Sequence, residues 1–315
     1  MRRFFGVIGV VVIVVAAAGC HPNSDTSTVA QTRARPKIAL VMKSLANDFF
    51  STMEAGARSH HAAHVEDYDL IVSGTKNETD LAQQVDLVET AVTQGARAIV
   101  IAPADSKALI PGLRRAEQAG VVIINIDNRL DADTVRQAGL SSPFVGPDNR
   151  AGARRVGEAV AARLHKGDEV AIIEGVTTAF NSQQRRAGFE EAMSEAGITV
   201  VTVQSGQWEI DKANVIAAGI LVAHPTLKAL LCANDNMAIG AAAAVAAVGK
   251  GSKVLVAGFD NIGAIKPYLA DGRVIATADQ HADQLAVFGI EAALNALKTG
   301  KPAPDQVTAV DLVTR

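Results

Sequence analysis

The sequence is poor in aromatic residues, in cysteine and in net charge, and the last two shortages each exclude a kind of binding site. Its 315 residues include one tryptophan, two tyrosines and two cysteines, and aromatic residues make up 4% of the chain. Cys20 and Cys232 are too far apart in the chain to form the closely spaced cysteine pair of a structural zinc site. A formal net charge of −3 gives no electrostatic basis for binding nucleic acid.

Small aliphatic residues are what the sequence has in abundance. Hydrophobic residues make up 49% of the chain, and alanine, valine and isoleucine dominate them. This composition suits close-packed layers of helices on β-sheets. The length is sufficient for two domains with cores of their own.

The first residues have the anatomy of a secretory signal. Arg2 and Arg3 precede an apolar run that ends in Gly19-Cys20, which predicts a signal peptide over residues 1–19. The ending resembles the lipobox of bacterial lipoproteins, which implies cleavage before Cys20 and acylation of its thiol. Ordinary secretion is the alternative. Residues 20–36 are mostly polar and predict a flexible tether.

Strand-like and helix-like segments alternate from Lys37 onwards. Continuous apolar strands between helices indicate parallel sheets covered on both faces. The pattern is interrupted by glycine, proline and serine over residues 138–152 and then resumes, which favours two doubly wound lobes over one large sheet. The predicted strands are 37–42, 68–73, 96–102, 121–127, 169–175, 199–205, 227–234, 253–259 and 274–280.

Polar and aromatic side chains follow the predicted strands of both halves. Since ligands of open α/β sheets bind at the carboxyl ends of strands, these residues predict a binding cleft between the lobes. Helix capping explains some of the aspartates and asparagines but not the aromatic residues. The candidates include Asn47, Phe49, Phe50, Asp127, Asn128, Gln183, Trp208, Asn234, Asp260 and Gln280.

Planar polar groups mixed with aromatic faces are suited to sugars and polyols, because carboxylates and amides pair with hydroxyl groups. Catalysis has weaker support. Asp127 and Asp260 could form a glycosidase-like pair, but no Ser–His or Cys–His pair, metal motif or phosphate loop is evident. His60 and His64 have helical spacing without a third ligand in sight. We therefore expect no catalytic residues, no metal and no cofactor.

Several of these motifs together resemble the periplasmic ribose-binding protein family, the substrate-binding components of sugar ABC importers. The resemblance runs from about Lys37 to Arg315 and includes "KIALVMKSLANDFF", "VVIINIDNR", "LCANDNMAIGA" and "VLVAGFDN". It implies the type I periplasmic binding protein fold, two Rossmann-like lobes joined by three crossings. The implied lobes are residues 37–147 with 281–309, and residues 148–280 with 310–315.

The resemblance also implies ligand contacts at Asn47, Phe49, Phe50, Asp127, Trp208, Asn234, Asp260 and Gln280. Two positions depart from the pattern, because Asn128 and Gln183 stand where ribose binders carry arginine. An amide lacks the charged fork of arginine. This difference predicts weak binding of ribose and favours another pentose-sized sugar, or a polyol of four or five carbons.

The function expected from these features is a lipid-anchored, monomeric solute-binding protein that delivers its ligand to ABC permease subunits. It would lie at the periplasmic or extracellular face of the cell envelope. A protein that presents a sugar to a chemoreceptor or sensor kinase is the alternative. A sugar-responsive repressor of the same fold would need a DNA-binding motif before residue 37, where the signal peptide lies.

Overall fold

The strand Lys37–Met42, β1, shows how the apolar pattern builds the fold. Ile38, Leu40 and Met42 pack into one hydrophobic cluster, and Ala39 and Val41 pack into another on the opposite face. Alternate side chains of a strand point to opposite faces, so a continuous apolar strand requires cover on both. The computed structural model describes residues 1, 5–7, 9, 35–249, 251 and 253–315.

The first sheet of the described chain has the strand order β11-β5-β4-β3-β1-β2, and every pairing in it is parallel. Its strands after β1 are β2 (Asp69–Gly74), β3 (Ala96–Ile101), β4 (Val122–Ile126), β5 (Phe144–Pro147) and β11 (Gln306–Thr308). Its helices are α1 (Asp48–Ala63), α2 (Leu81–Thr93), α3 (Ile110–Gln118), α4 (Ala132–Ala138) and α10 (Ala282–Thr299).

The second sheet repeats this arrangement with the order β12-β10-β9-β8-β6-β7, in which only β12 runs antiparallel to its neighbour among the described strands. Its strands are β6 (Glu169–Glu174), β7 (Thr199–Ser205), β8 (Ala229–Cys232), β9 (Leu255–Ala257), β10 (Ala276–Asp279) and β12 (Asp311–Thr314). Its helices are α5 (Asn149–Ala161), α6 (Phe180–Glu195), α7 (Ile210–Ala223), α8 (Asp235–Ala247) and α9 (Lys266–Asp271).

The chain passes between the two sheets at three places: from β5 to α5, from β10 to α10, and from β11 to β12. The predicted fold class, two doubly wound lobes joined by three crossings, is therefore confirmed. The sequence pattern missed β5, β11 and β12. Strand β5 lies inside the segment read as a break, because its short "FVGP" sequence contains glycine and proline.

Both sheets are covered by helices on their two faces, and one hydrophobic cluster reaches from lobe to lobe. It contains Met53 and Ile290 of the first lobe and Ile220 and Val245 of the second. Within the described residues, no helix combines the length and hydropathy needed to cross a membrane. The predicted signal peptide lies largely outside the described residues, and Cys20 lies entirely outside them.

Candidate functional site

Twelve side chains from both lobes converge at the carboxyl ends of the strands. In each sheet this edge contains the point where the strand order reverses, β1 beside β3 and β6 beside β8, which is where open α/β sheets bind ligands. All twelve side chains are buried. The cleft is lined by Lys43, Asn47, Phe49, Phe50, Glu78, Asp127, Asn181, Arg185, Trp208, Asn234, Asp260 and Gln280.

The first lobe contributes a buried ion pair and a buried amide–carboxyl pair. Lys43 directly follows β1, and its Nζ lies 2.9 Å from Oδ2 of Asp127, which directly follows β4. Asn47 caps α1 by accepting the backbone N–H of Phe49 at 3.0 Å. Its Nδ2 also donates to Oε1 of Glu78 at 2.8 Å. Asn47 therefore connects the start of α1 to Glu78, which lies in the loop between β2 and α2.

Arg185 of α6 organises the wall contributed by the second lobe. Its Nη1 donates to Oδ1 of Asp260 at 3.1 Å and to the carbonyl oxygen of Ala233 at 2.8 Å, and its Nε donates to Oδ1 of Asn149 at 2.8 Å. Gln280 donates to the same Asp260 oxygen at 2.7 Å. Arg185 is 2% exposed, so these bonds hold the guanidinium in one orientation inside the protein.

Three aromatic rings complete the lining. Phe49 and Phe50 meet edge to face with centroids 5.1 Å apart. Trp208, in the loop between β7 and α7, packs where a β-carbon at Gly175 would lie 2.1 Å from its ring, so this close approach requires glycine. The Lys43 ammonium lies 5.8 Å from the centroid of the Trp208 ring, which joins the two lobes electrostatically across the cleft.

Strained backbone is concentrated at this cleft. Asp127, Trp208 and Asp260 have φ angles of 60°, 69° and 115°. The other described non-glycine residues in the left-handed region are Gln207, Asn261 and His281, each of which directly neighbours a cleft residue in the chain. Left-handed backbone at non-glycine residues costs about 1–3 kcal/mol each and tends to collect at functional sites.

Two cleft carboxyl groups have raised pKa values. Burial raises the pKa of Asp260 to about 7, against the opposing effect of Arg185. Burial also raises the pKa of Glu78 to about 7, although Lys43 and the bond from Asn47 favour its charged form. Both groups therefore change charge near neutral pH.

Some buried polar atoms of the cleft lack a hydrogen-bond partner among the described residues. They include Nε1 of Trp208, Oδ1 of Asn181 and Oε1 of Gln280. A buried polar atom without a partner costs about 1–3 kcal/mol. Two free acceptors and one free donor, close to aromatic faces, form a set that hydroxyl groups can satisfy.

The structure brings together most of the residues predicted from the sequence, but not Gln183. The cleft contains Asn47, Phe49, Phe50, Asp127, Trp208, Asn234, Asp260 and Gln280. Gln183 is exposed, and its amide donates to the carbonyl oxygen of Thr177 at 2.8 Å. The interpretation that the second lobe has no cleft arginine is therefore wrong, because Arg185 supplies one from the next turn of the same helix.

Asn128 is buried but does not line the cleft. Its Nδ2 donates to the carbonyl oxygen of Pro103 at 2.9 Å, and its Oδ1 accepts the backbone N–H of Asn181, in the other lobe, at 3.1 Å. Ser106 Oγ accepts the N–H of Phe180 at 2.9 Å in the same way. No side chain of its own caps the start of α6, so the first lobe caps this helix across the lobe boundary.

Four lining residues are absent from the ligand contacts predicted from the sequence: Lys43, Glu78, Asn181 and Arg185. Asn181 and Arg185 are four positions apart on α6 and therefore share one face of that helix. This spacing was a usable signal. Lys43 had only its position after β1, and Glu78 had only its place in the turn between β2 and α2.

A larger groove of about 370 Å³ lies at the opposite edge of the first sheet, between the start of β4 and the end of α10. The amino ends of parallel strands meet there, which is not where open α/β sheets place ligands. Within the described residues, no group of three or more histidine, cysteine, aspartate or glutamate side chains is arranged to hold a metal ion.

Comparison with known proteins identifies the family. Residues 38–302 match the model of the periplasmic binding protein domain. The chain is 52% identical to the D-ribose/D-allose-binding protein of Pseudomonas aeruginosa over 305 residues, which cover 95% of this chain and 96% of that protein.

Two solved structures are similar over most of the chain. One is an ABC transporter solute-binding protein from Burkholderia multivorans, with an unknown ligand interpreted as α-D-erythrofuranose. It is 56% identical, has a TM-score of 0.88, and the match covers 89% of this chain and 99% of that one. The other, from Actinobacillus succinogenes with bound D-allose, is 37% identical with a TM-score of 0.84, covering 89% and 98%. The chain therefore belongs to the periplasmic binding protein family, whose members are solute-binding proteins and not enzymes.

Proposed function

We propose that this protein captures a small sugar of the ribose or allose type in the cleft between its lobes and delivers it to an ABC permease. The observation that carries the proposal is the set of buried, unpartnered polar atoms on Asn181, Trp208 and Gln280, beside the rings of Phe49 and Phe50. Hydroxyl groups would complete these hydrogen bonds, and the C–H face of a sugar would pack on the rings.

Arg185 changes the expectation for the ligand. Weak binding of ribose was predicted because both arginine forks were expected to be missing, but one buried guanidinium is present. Together with the names of the relatives, this favours D-ribose and D-allose as first candidates. A four-carbon sugar or polyol is the next candidate, because the cleft is small and the Burkholderia protein holds an unknown ligand interpreted as a four-carbon sugar.

The polar cleft residues other than Glu78 have the following roles in this proposal. Asp127 and Asp260 accept hydroxyl groups through charge-assisted bonds of about 1.5–3 kcal/mol each, and Arg185 and Lys43 donate. Asn47, Asn181, Asn234 and Gln280 add amide contacts. The cavity among these side chains is about 20 Å³, which is room for about one water molecule, so entry of a sugar requires the lobes to separate about the three crossings.

The proposal includes attachment to the membrane through acylated Cys20. Replacing Cys20 with alanine should release the protein from the membrane fraction or leave the signal peptide uncleaved. A Cys20→Ala protein that still fractionates with membranes in its mature form would rule out the lipid anchor, while leaving sugar binding intact.

A thermal-shift screen tests the proposed ligand class. D-ribose, D-allose, D-erythrose, ribitol and erythritol would be compared with D-glucose and buffer alone. A ligand at 100 times its dissociation constant adds about 2.7 kcal/mol to the free energy of unfolding, so the true ligand should raise the melting temperature in a saturable way. The absence of any shift across this panel would contradict the proposal.

A further inference from the structure

Glu78 is the one cleft carboxyl group without an ion-pair partner within the described residues. Lys43 pairs with Asp127 and Arg185 pairs with Asp260, whereas no cation lies within 4.0 Å of Glu78. Glu78 is 4% exposed, lines the cleft and accepts one hydrogen bond, from Asn47 Nδ2 to its Oε1. No hydrogen bond reaches its second oxygen, Oε2, from the described residues.

When Asp127 and Asp260 are ionised, the charges of the lining balance only if Glu78 is neutral. With Glu78 protonated, two cations face two carboxylates. With Glu78 ionised, one buried negative charge is uncompensated, which is unfavourable away from water. The charged groups that act on Glu78 are Lys43, which favours ionisation, and Asp127 and Asp260, which oppose it. Burial outweighs them and raises the pKa of Glu78 to about 7.

We propose that Glu78 binds the ligand as a neutral carboxylic acid: Oε1 accepts the Asn47 amide, and the protonated Oε2 donates to an oxygen atom of the sugar. This role makes Glu78 a specificity-determining residue, because it requires an acceptor on the ligand at that point and an uncharged ligand overall. The inference rests on the proposed sugar-binding function of the same cleft.

The proposal assigns a direction to the pH dependence of binding. Above the pKa of Glu78, the proton must be taken up when the ligand binds, so affinity should fall by up to about tenfold per pH unit. Asp260 acts in the opposite direction. It accepts hydrogen bonds from Arg185 and Gln280 and is needed in its charged form, so its protonation weakens binding on the acid side. Affinity should therefore be greatest near neutral pH.

The substitution Glu78→Gln distinguishes a role of the neutral acid from a role of the carboxylate. Its Oε1 can accept from Asn47 and its Nε2 can donate to the ligand, as the protonated acid does, but it cannot titrate. Calorimetric titration with D-ribose and D-allose between pH 6 and 9 would compare the wild type, Glu78→Gln, Glu78→Ala and the exposed control Glu66→Gln.

At pH 7, Glu78→Gln should keep the wild-type affinity within about threefold, whereas Glu78→Ala should lose about tenfold or more. Glu78→Gln should also lose the alkaline decline and keep the acid one, and Glu66→Gln should keep both. An alkaline decline that persists in Glu78→Gln would overturn the proposal. So would an affinity of Glu78→Gln as low as that of Glu78→Ala.

A second measurement needs no ligand. In protein labelled with ¹³C at the glutamate side-chain carboxyl, one resonance should titrate near pH 7 in the wild type and be missing in Glu78→Gln. Glutamate labelling excludes Asp260 from this signal. If no glutamate titrates near pH 7, the proposal for Glu78 is wrong, whatever the protein binds. If one does and neither sugar binds, the choice of ligand is wrong instead.

Discussion

The ammonium group of Lys43 lies 2.9 Å from Oδ2 of Asp127, and the two side chains are 3% and 2% exposed. The ammonium also lies 5.3 Å from the centroid of the Phe50 ring and 5.8 Å from that of Trp208 in the other lobe. One buried cation therefore faces a carboxylate of its own lobe and an aromatic ring of each lobe. This makes Lys43 an electrostatic centre of the cleft.

Replacing Lys43 with methionine should destabilise the protein by about 3–5 kcal/mol, because it leaves the buried Asp127 carboxylate without a partner. Urea denaturation would measure the loss. The double variant Lys43→Met, Asp127→Asn should recover much of it by removing the unpaired charge. Lys107→Met is the control, since Lys107 is 68% exposed and 3.9 Å from Asp131, and we expect it to cost less than about 1 kcal/mol. Equal losses from both lysine variants would contradict this view of Lys43.

Arg185 and Gln183 should differ sharply in their importance for binding. Arg185→Gln removes the donor to Asp260 and leaves buried acceptors on Asn149 and Ala233 unpaired, so affinity should fall by about a hundredfold or more. Gln183→Ala, on the exposed face of the same helix, should stay within about threefold of the wild type. Calorimetry on both variants would measure this contrast, and a large loss in Gln183→Ala would restore Gln183 to the site.

Helix geometry explains why the sequence pointed to Gln183 and not to Arg185. Positions two apart on an α-helix point about 200° away from each other, whereas positions four apart share a face. Asn181 faces the cleft, so Arg185 faces it and Gln183 does not. The helical period therefore predicts which α6 residues face the cleft better than their position within the family motif does.

The strand-end residues were predictable because the fold was. Asp127, Asn234 and Asp260 follow buried strands at the carboxyl edge, where the topology requires them to meet. Asn128 was not predictable in the same way. Asp127 has a φ of 60°, and Asn128, directly after it, bonds to Pro103 and Asn181 and does not line the cleft. Periodic reasoning assumes regular backbone and fails where the backbone is strained.

Lys43 and Glu78 show a different difficulty. Lysine and glutamate are rarely buried unless paired, so each is read as exposed in a sequence. Their burial depends on partners that are distant in the chain: Asp127 for Lys43, and Asn47 for Glu78. Such pairs can be recognised only in the folded first lobe, where both partners lie side by side.

Asn128 and Ser106 should influence affinity without touching the ligand. Both accept backbone N–H groups at the start of α6, across the lobe boundary. Loss of a helix cap costs about 0.5–2 kcal/mol. Because this cap joins the two lobes, its loss should destabilise the closed arrangement of the lobes. We expect Ser106→Ala and Asn128→Ala each to weaken sugar binding by about two- to thirtyfold, with faster dissociation in stopped-flow experiments. If the sugar dissociates from both variants at the wild-type rate, this cap does not stabilise the closed arrangement of the lobes.

Trp208 is the single tryptophan of the chain and should report ligand binding directly. Its ring lines the cleft, and its Nε1 has no partner in the described residues. A bound sugar should shift the emission and reduce acrylamide quenching, with the same saturation as calorimetry. Trp208→Phe should lose the signal and part of the affinity, since buried aromatic anchors tend to dominate binding. If calorimetry shows that a sugar binds and the emission spectrum stays unchanged, the Trp208 ring does not contact the ligand.

The most direct test of the central claim is calorimetric titration of the wild type, Asp127→Ala and Asp260→Ala with D-allose and D-ribose at pH 7. We predict saturable binding of at least one of the two sugars by the wild type. Each variant should lose about tenfold or more in affinity, because it removes a buried acceptor worth about 1.5–3 kcal/mol, while its circular dichroism spectrum stays that of the folded protein. No binding of either sugar by the wild type, or wild-type affinity in both variants, would contradict the assignment of this cleft as a sugar site.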